Sequence, residues 1–295
     1  MEMMPEIIQH YMRYRDHLEY DHRVFKIYEG QIKKEVENSL RDETLSKSAL
    51  KRAMQRIPSL NILKKATDKL SALYAEPAIR FVETEGDRDI MHNISQEMDV
   101  NSLMLRTNQM LNAQNRVAIE FYVKNGMHKG RVLAAHQFLP FSDDPSDPNN
   151  MTVFIKLLGE EKPLPTTATD TDGRDLSQDN KIDKVDVLAL YSDDEFIIID
   201  TSGSPRFDIM EKMGVTSTIN PFGTIPFVYI SKSDFQLVPF VNQAGLDMSV
   251  LIPKLLTDLN YAAQFLSHSL IWYKNTDLQG AEAHPDAMIN LGSAE

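Results

Sequence analysis

RVAIEFYVKNGMHKGRVLAAHQF, residues 116–138, is the stretch on which the fold turns. Before it, apolar residues recur at helical steps; here the step drops to two. In RVAIEFYV (116–123), Val117, Ile119, Phe121 and Val123 share one face, which predicts a half-buried strand. Asn125-Gly126 is a two-residue turn signal, because both residues accept positive φ, and GRVLAAHQF (130–138) follows as the antiparallel partner. DDPSDPNN (143–150) is loop by composition, and MTVFIKLL (151–158) is a third strand. KVDVLALY (184–191) and EFIIID (195–200) flank Ser192-Asp193-Asp194 as two more, and TIPFVYI (224–230) adds another. Strand follows strand with no helix between, so the expectation is an antiparallel meander and not a parallel α/β sheet. Residues 159–184, rich in Pro, Thr, Asp and Gly, read as a long exposed loop.

Working outward, the first 80 residues read as helical. Pro5 suits a first helical turn, and Ile7, Ile8, Tyr11, Tyr14 and Leu18 follow at helical spacing until Gly30 interrupts. Ile32, Val36 and Leu40, then Leu45, Ala49 and Ala53, carry a further helical stretch that Pro58 should end. From Asn61, the spacing of Ile62, Ala66, Lys69, Leu70 and Leu73 predicts an amphipathic helix stopped by Pro77. A polar stretch over 84–89 links it to a helix over about 94–113. At the other end, Met248, Ile252, Leu255, Leu259, Ala262, Leu266 and Leu270 step by three and four, predicting a helix over 247–272. At 1.5 Å per residue it would be about 40 Å long. Pro253 must sit near its start or kink it. Leu251, Leu256, Ala263, Phe265 and Ile271 widen the apolar surface beyond one stripe. Such a helix needs partners on more than one side, either its own domain or identical helices of neighbouring copies. Leu255, Leu259, Leu266 and Leu270 are the candidates for a subunit interface. The expected fold class is α+β: a helical N-terminal part, an antiparallel β meander, then a long helix. The expected division is an α+β domain over 1–245, the long helix over 246–275, and the start of a following segment over 276–295.

Composition narrows the chemistry. The 295 residues are 42% hydrophobic and 25% charged, enough for one large or two small domains. Cysteine is absent, which excludes disulfides, cysteine-based zinc sites and a thiol nucleophile. The formal charge is −12 and uneven: residues 1–80 hold 15 Lys and Arg against 12 Asp and Glu, the remainder 16 against 31. A tight non-specific DNA binder needs the opposite balance, because phosphate neutralisation supplies most of that affinity. The acidity fits either an ordinary solvated surface or the wall of a channel to which DNA must not stick. The N-terminus lacks a signal-peptide core and no apolar run reaches membrane length, so no membrane partner is expected. There is no P-loop, no GxGxxG after a strand, no GxSxG and no HExxH. The eight histidines are scattered. Asp170-Thr171-Asp172-Gly173 opens like a calcium loop, but its glycine comes fourth instead of sixth and Lys181 or Ile182 falls where a glutamate is required. Asp143-Asp144 and Asp193-Asp194 lie in turn-forming stretches without a nucleophile or phosphate cradle nearby. HYMRYRDHLEYDHR (10–23) mixes Tyr with Arg and His and suits either a nucleic-acid contact or a packed face. No catalytic residue, cofactor-binding residue or metal ligand is assigned, and no cofactor is expected.

Four stretches, in order, resemble the portal proteins of tailed bacteriophages. VFKIYEGQIKKEVENSL (24–40) is similar to their Tyr-x-Gly opening before a helix, at Tyr28 and Gly30. RIPSLNILKKATDKLSALYAEPAIRF (56–81) keeps an asparagine followed by the order Lys-x-Ser-x-x-Tyr, then a proline and a basic residue, here Asn61, Lys69, Ser71, Tyr74, Pro77 and Arg80. NPFGTIPFVYI (220–230) resembles the segment before the last element of the portal wing, at Asn220, Pro221, Gly223 and Pro226. The last is LIPKLLTDLNYAAQFLSHSLIW (251–272) with PDAMINLGS (285–293) after it. The resemblance implies a non-enzymatic, ring-forming subunit, typically a homododecamer at one capsid vertex of the virion, assembled in the host cytoplasm. It implies partners too: the terminase large subunit, capsid protein and scaffold, a head–tail adaptor, and double-stranded DNA that passes through without tight sequence-specific binding. Portals are usually longer, with a second stem helix, a tunnel loop and a crown, so the expectation is a fragment or the ordered part of a longer protein. Family residues that grip DNA or motor therefore find no counterpart to be carried onto. The competing readings are another head–tail adaptor or minor capsid protein and, from a different class, a metal-dependent nucleic-acid-processing enzyme.

Overall fold

A computed structural model of the chain describes residues 3–41, 47–55, 57–58, 60–72, 80, 84–144, 146–147, 150–161, 185–241, 243–267, 271–273 and 288–290. Within them the fold is mixed α+β with a helical N-terminal part and two antiparallel sheets. Helices α1 (Met4–Tyr28), α2 (Ile32–Arg41), α3 (Lys47–Gln55), α4 (Ile62–Leu70), α5 (Glu85–Glu97) and α6 (Val100–Gln114) come first. Strands β1 (Arg116–Lys124), β2 (Met127–Ala134), β3 (Phe138–Phe141), β4 (Val153–Glu161), β5 (Val185–Tyr191) and β6 (Phe196–Asp200) follow. The short α7 (Phe207–Lys212), β7 (Phe227–Ser231), α8 (Gln243–Ser267), β8 (Ile271–Tyr273) and β9 (Met288–Asn290) complete the order. The calcium-like Asp170–Gly173 stretch and most of the predicted 159–184 loop lie outside the described residues.

The chain divides into two compact units, Met1–Phe25 with Thr67–Asn242, and Lys26–Ala66 with Gln243–Glu295. The first holds both antiparallel sheets. Asn125 and Gly126 sit at φ 55° and 76°, so the two-residue turn takes the primed geometry that matches strand twist, with Lys124 opposite Met127. The predicted partner strand ends early, however. Ala134 leads into a 3-10 turn over Ala135–Gln137, where Gln137 Oε1 accepts from the Ala134 amide at 2.9 Å, and Phe138 begins a strand of the other sheet. The meander is therefore β3-β4-β5-β6 alone. The 224–230 strand does not extend it. As β7 it returns to pair with β1, making the sheet β2-β1-β7.

This crossover buries β1 on both faces. Val117 and Ile119 are buried as alternation requires, but so are Arg116, Ala118 and Glu120, while Val123 at the far end is exposed. The half-buried reading fails because charged residues in a strand are assumed to face water; here both are paired (below). Between the sheets, Phe138, Phe154 and Phe227 stack at centroid distances of 5.3 and 4.0 Å. Against the meander, α1 places Ile7, Tyr11 and Leu18 among Leu139, Ile155, Val187, Leu188 and Ile198.

Several helix boundaries differ from the sequence reading. The single helix over 94–113 is two, α5 and α6, because Asp99 adopts a left-handed backbone (φ 46°) between them. The polar stretch 84–89 is no linker but the opening of α5, whose first turns are solvated and so lack an apolar period. The predicted 247–272 helix starts at Gln243 and ends at Ser267; Ile271 and Trp272 belong to β8, which pairs in parallel with β9.

Candidate interaction surface

In the second unit, α8 lies against α2 and α3. Among the α8 side chains that are described, those buried are Leu246, Ser249, Pro253 and Thr257, spaced three or four apart and mostly small. Small residues let a neighbouring backbone approach closely. The two hydroxyls satisfy themselves locally, Ser249 Oγ donating to the Gly245 carbonyl at 2.7 Å and Thr257 Oγ1 to the Pro253 carbonyl at 2.8 Å. Opposite them, Met248, Leu251, Leu255 and Leu259 are 55%, 44%, 55% and 63% exposed. The apolar stripe chosen from spacing is thus the outward face of α8, and the inward face is the one that spacing of large residues could not reveal. Leu255 and Leu259 stand on the outward face; Leu266 lies in α8 with its side chain outside the described set, and Leu270 lies outside the described residues.

Several of the motif residues, Gly30, Asn61 and Asn220 among them, hold joints together. Gly30, at φ 99°, ends α1 in a paired bond pattern, its amide donating to Ile27 O at 3.0 Å and that of Gln31 to Lys26 O at 2.8 Å. Asn61 then joins two helix ends. Its Nδ2 donates to Ile27 O (2.5 Å) and Tyr28 O (3.3 Å) at the end of α1, while its Oδ1 accepts from the Lys64 amide (2.9 Å) in the first turn of α4. Lys64 Nζ stands 4.7 Å from the centre of the buried Tyr28 ring. In the first unit, buried Ser71 accepts from Asn112 Nδ2 at 3.0 Å, and Lys69 is exposed. Tyr74 lies outside the described residues. Buried Asn220 fixes the loop before β7: Nδ2 donates to Ser192 O (2.7 Å) and Thr224 O (2.8 Å), and Oδ1 accepts from the Phe222 amide (3.0 Å). Gly223 supplies a positive φ of 63°, Pro221 is exposed, and the Pro226 carbonyl accepts from the Phe121 amide at 2.9 Å, adding a rung to the β1–β7 ladder. The loop presents Ile219 and Phe222 to solvent.

The chain matches no family model and no curated protein. Arg116 and Asp21, both buried, form an ion pair, and Arg116 Nη2 also donates to Ala135 O at 3.3 Å. Gln114 runs alongside, Nε2 donating to Asp21 O at 2.9 Å and Oε1 accepting from the Ala135 amide at 3.0 Å. Burial pushes the Asp21 carboxyl up to about 6 against the opposing pull of Arg116, which leaves it ionised at neutral pH. Glu120 is held by Arg131, with Nε at 2.9 Å, and by Lys156 Nζ at 2.6 Å, joining the two sheets. Burial, with the charge of Glu120 behind it, pushes the Tyr191 hydroxyl up to about 12. Arg131 and Lys156 open onto a cleft of about 700 Å³ that Arg106, Tyr122 and Asp99 also line, but Glu120 already occupies both cations.

Scattered histidines partly come together. The rings of His22 and His136 lie 4.5 Å apart, and burial lowers both His10 and His17 on α1. Among the described residues no three acidic or histidine side chains are grouped to share a metal ion. The adjacent acids serve turns: Asp144 Oδ1 accepts from the Ser146 amide (2.8 Å) and hydroxyl (2.6 Å), and Asp193 Oδ1 from the Ile225 amide (3.1 Å). No described helix is long and apolar enough to cross a membrane. Sequence reasoning missed Asp21–Arg116 and Glu120–Lys156, which join residues 95 and 36 positions apart and leave no local pattern.

Proposed function

We propose that this chain is a structural subunit of a portal-like ring, a head–tail connector through which double-stranded DNA is packaged and later ejected. The observation that carries the reading is the outward face of α8: four large apolar side chains in line, solvent-facing within one copy. Such a face needs a partner, since contiguous exposed apolar surface marks an association site. A helix buried by small residues on one side and apolar on the other suits a subunit stacked between neighbours. The order of the portal-like motifs supports the same reading, as does the way Gly30, Asn61 and Asn220 each hold a joint together. The acidic charge of the chain beyond residue 80 agrees with a conduit from which DNA slides freely. In this role the ring has about twelve copies, docks the terminase large subunit, contacts capsid protein and scaffold, and later holds a head–tail adaptor. It takes no part in bond chemistry.

Native mass measurement and negative-stain microscopy of the purified chain test this. Closed rings of about a dozen copies are expected. A monomer at all concentrations, or a metal-dependent nuclease or nucleotidase activity that tracks with the protein, refutes it.

A further inference from the structure

The outward face of α8 spans Met248 to Leu259, about 16 Å of helix at 1.5 Å per residue. The same unit offers a second unpartnered apolar feature. Between α2 and α3 runs a groove of about 450 Å³ with Leu50 and Met54 as its apolar floor and Lys33, Lys51, Glu37 and Gln55 at its rim. Among the described residues, its lining comes from α2 and α3. Its rim cations are exposed and their methylene stems extend the apolar surface.

We infer that the outward face of α8 in one copy seats in the α2–α3 groove of the next, so that the ring closes through the helical unit. This rests on the ring reading above and assigns its contact. Two observations choose the occupant. The first is charge. The groove carries Lys33 and Lys51 against Glu37, whereas α8 carries Asp247 and Asp258 against Lys254. A head-to-tail contact brings the net basic groove of one copy to the net acidic α8 of its neighbour, whereas α8 against α8 would bring two net acidic helices together. The second is layering. Each α8 already contacts its own α2 and α3, and the face of α8 that is buried within one copy is the small-residue face. Docking the large-residue face on the next copy repeats one arrangement, α2/α3 then α8, around the assembly. Such a contact joins unlike surfaces, and unlike surfaces propagate into rings.

The absence of cysteine makes a direct test simple. The full chain carrying Leu255→Cys with Met54→Cys is treated with a bismaleimide spanning about 8–10 Å, the separation of packed helices, and run on a denaturing gel. The expected result is a ladder of dimer, trimer and higher species reaching the ring number, while each single variant stays monomeric. Leu259→Cys with Leu50→Cys, a second pair on the same two surfaces, should give the same ladder and covers the case in which the first variant misfolds. Rings seen by native mass with no ladder from either pair, or with only an intrachain product, overturn the assigned contact and leave the ring reading standing. Covalent dimers from Leu255→Cys alone overturn it in favour of α8 against α8. Failure of the unmodified chain to form rings removes both.

Discussion

Asp21 and Arg116 show how one buried pair governs a region. Removing the side chain by Asp21→Ala leaves Arg116 buried with neither a counter-charge nor the oxygen acceptor that even a protonated carboxyl supplies, and we expect a loss of about 3–5 kcal/mol in unfolding free energy by urea titration at neutral pH. The pair also has a pH signature. Burial raises Asp21 from its ordinary 3.8 to about 6, so the native state keeps this proton to higher pH than the unfolded chain. That contribution is fully present below about pH 4 and lost as pH rises through 6. The urea midpoint of the wild type should therefore fall between pH 4 and 6 relative to Asp21→Asn, which has no such proton; parallel pH curves for the two would contradict the assignment. Asn61 acts at the same scale through neutral bonds. Asn61→Ala releases three hydrogen bonds at the facing ends of α1 and α4 and should lower stability by about 1–2 kcal/mol in the same titration.

At the scale of elements, α8 carries the sharpest contrast. Ser249 is fully buried, so Ser249→Leu overfills the buried side of α8 and should cost about 1–3 kcal/mol, read as a lower melting temperature. Leu251→Ser, on the outward face, should change single-copy stability by less than about 0.5 kcal/mol. Much of this level is legible in the sequence, and the reasons differ by element. The period of two at 116–123, the Asn125-Gly126 turn and the Ile32-Val36-Leu40 spacing are local signals that tertiary packing does not override. What is not legible is non-local. Nothing in TIPFVYI says that it pairs with β1 and not with β6, and Arg116 and Glu120 read as solvent-facing until their distant partners are known. The orientation of α8 is hidden for another reason. Spacing finds the face with large apolar residues, while burial within one copy falls to Leu246, Ser249, Pro253 and Thr257, three of them small or polar. Of the candidate site, the outward leucines are found from spacing; the groove between α2 and α3 is not, because its cationic rim reads as ordinary surface.

For the whole molecule, the proposed ring separates folding from assembly. Leu259→Asp removes a side chain that is solvent-facing within one copy, so the variant should fold with an unchanged circular-dichroism spectrum and near-normal melting temperature while native mass shows monomers in place of rings. An unfolded variant would mean that α8 is buried by its own chain; intact rings would mean that assembly uses another surface. The two units also interleave along the chain, the first taking residues 1–25 and 67–242 and the second 26–66 and 243 onward. This ordering bears on synthesis at the ribosome. Tyr11 donates its hydroxyl to Asp186, 175 positions later, and the partners of Ile7 and Leu18 in the meander also come late. At roughly 5–20 residues per second, the first helix waits on the order of ten to forty seconds for its sheet, with its apolar face open to water. Until the meander emerges, the apolar residues of that helix lack the native neighbours that later bury them.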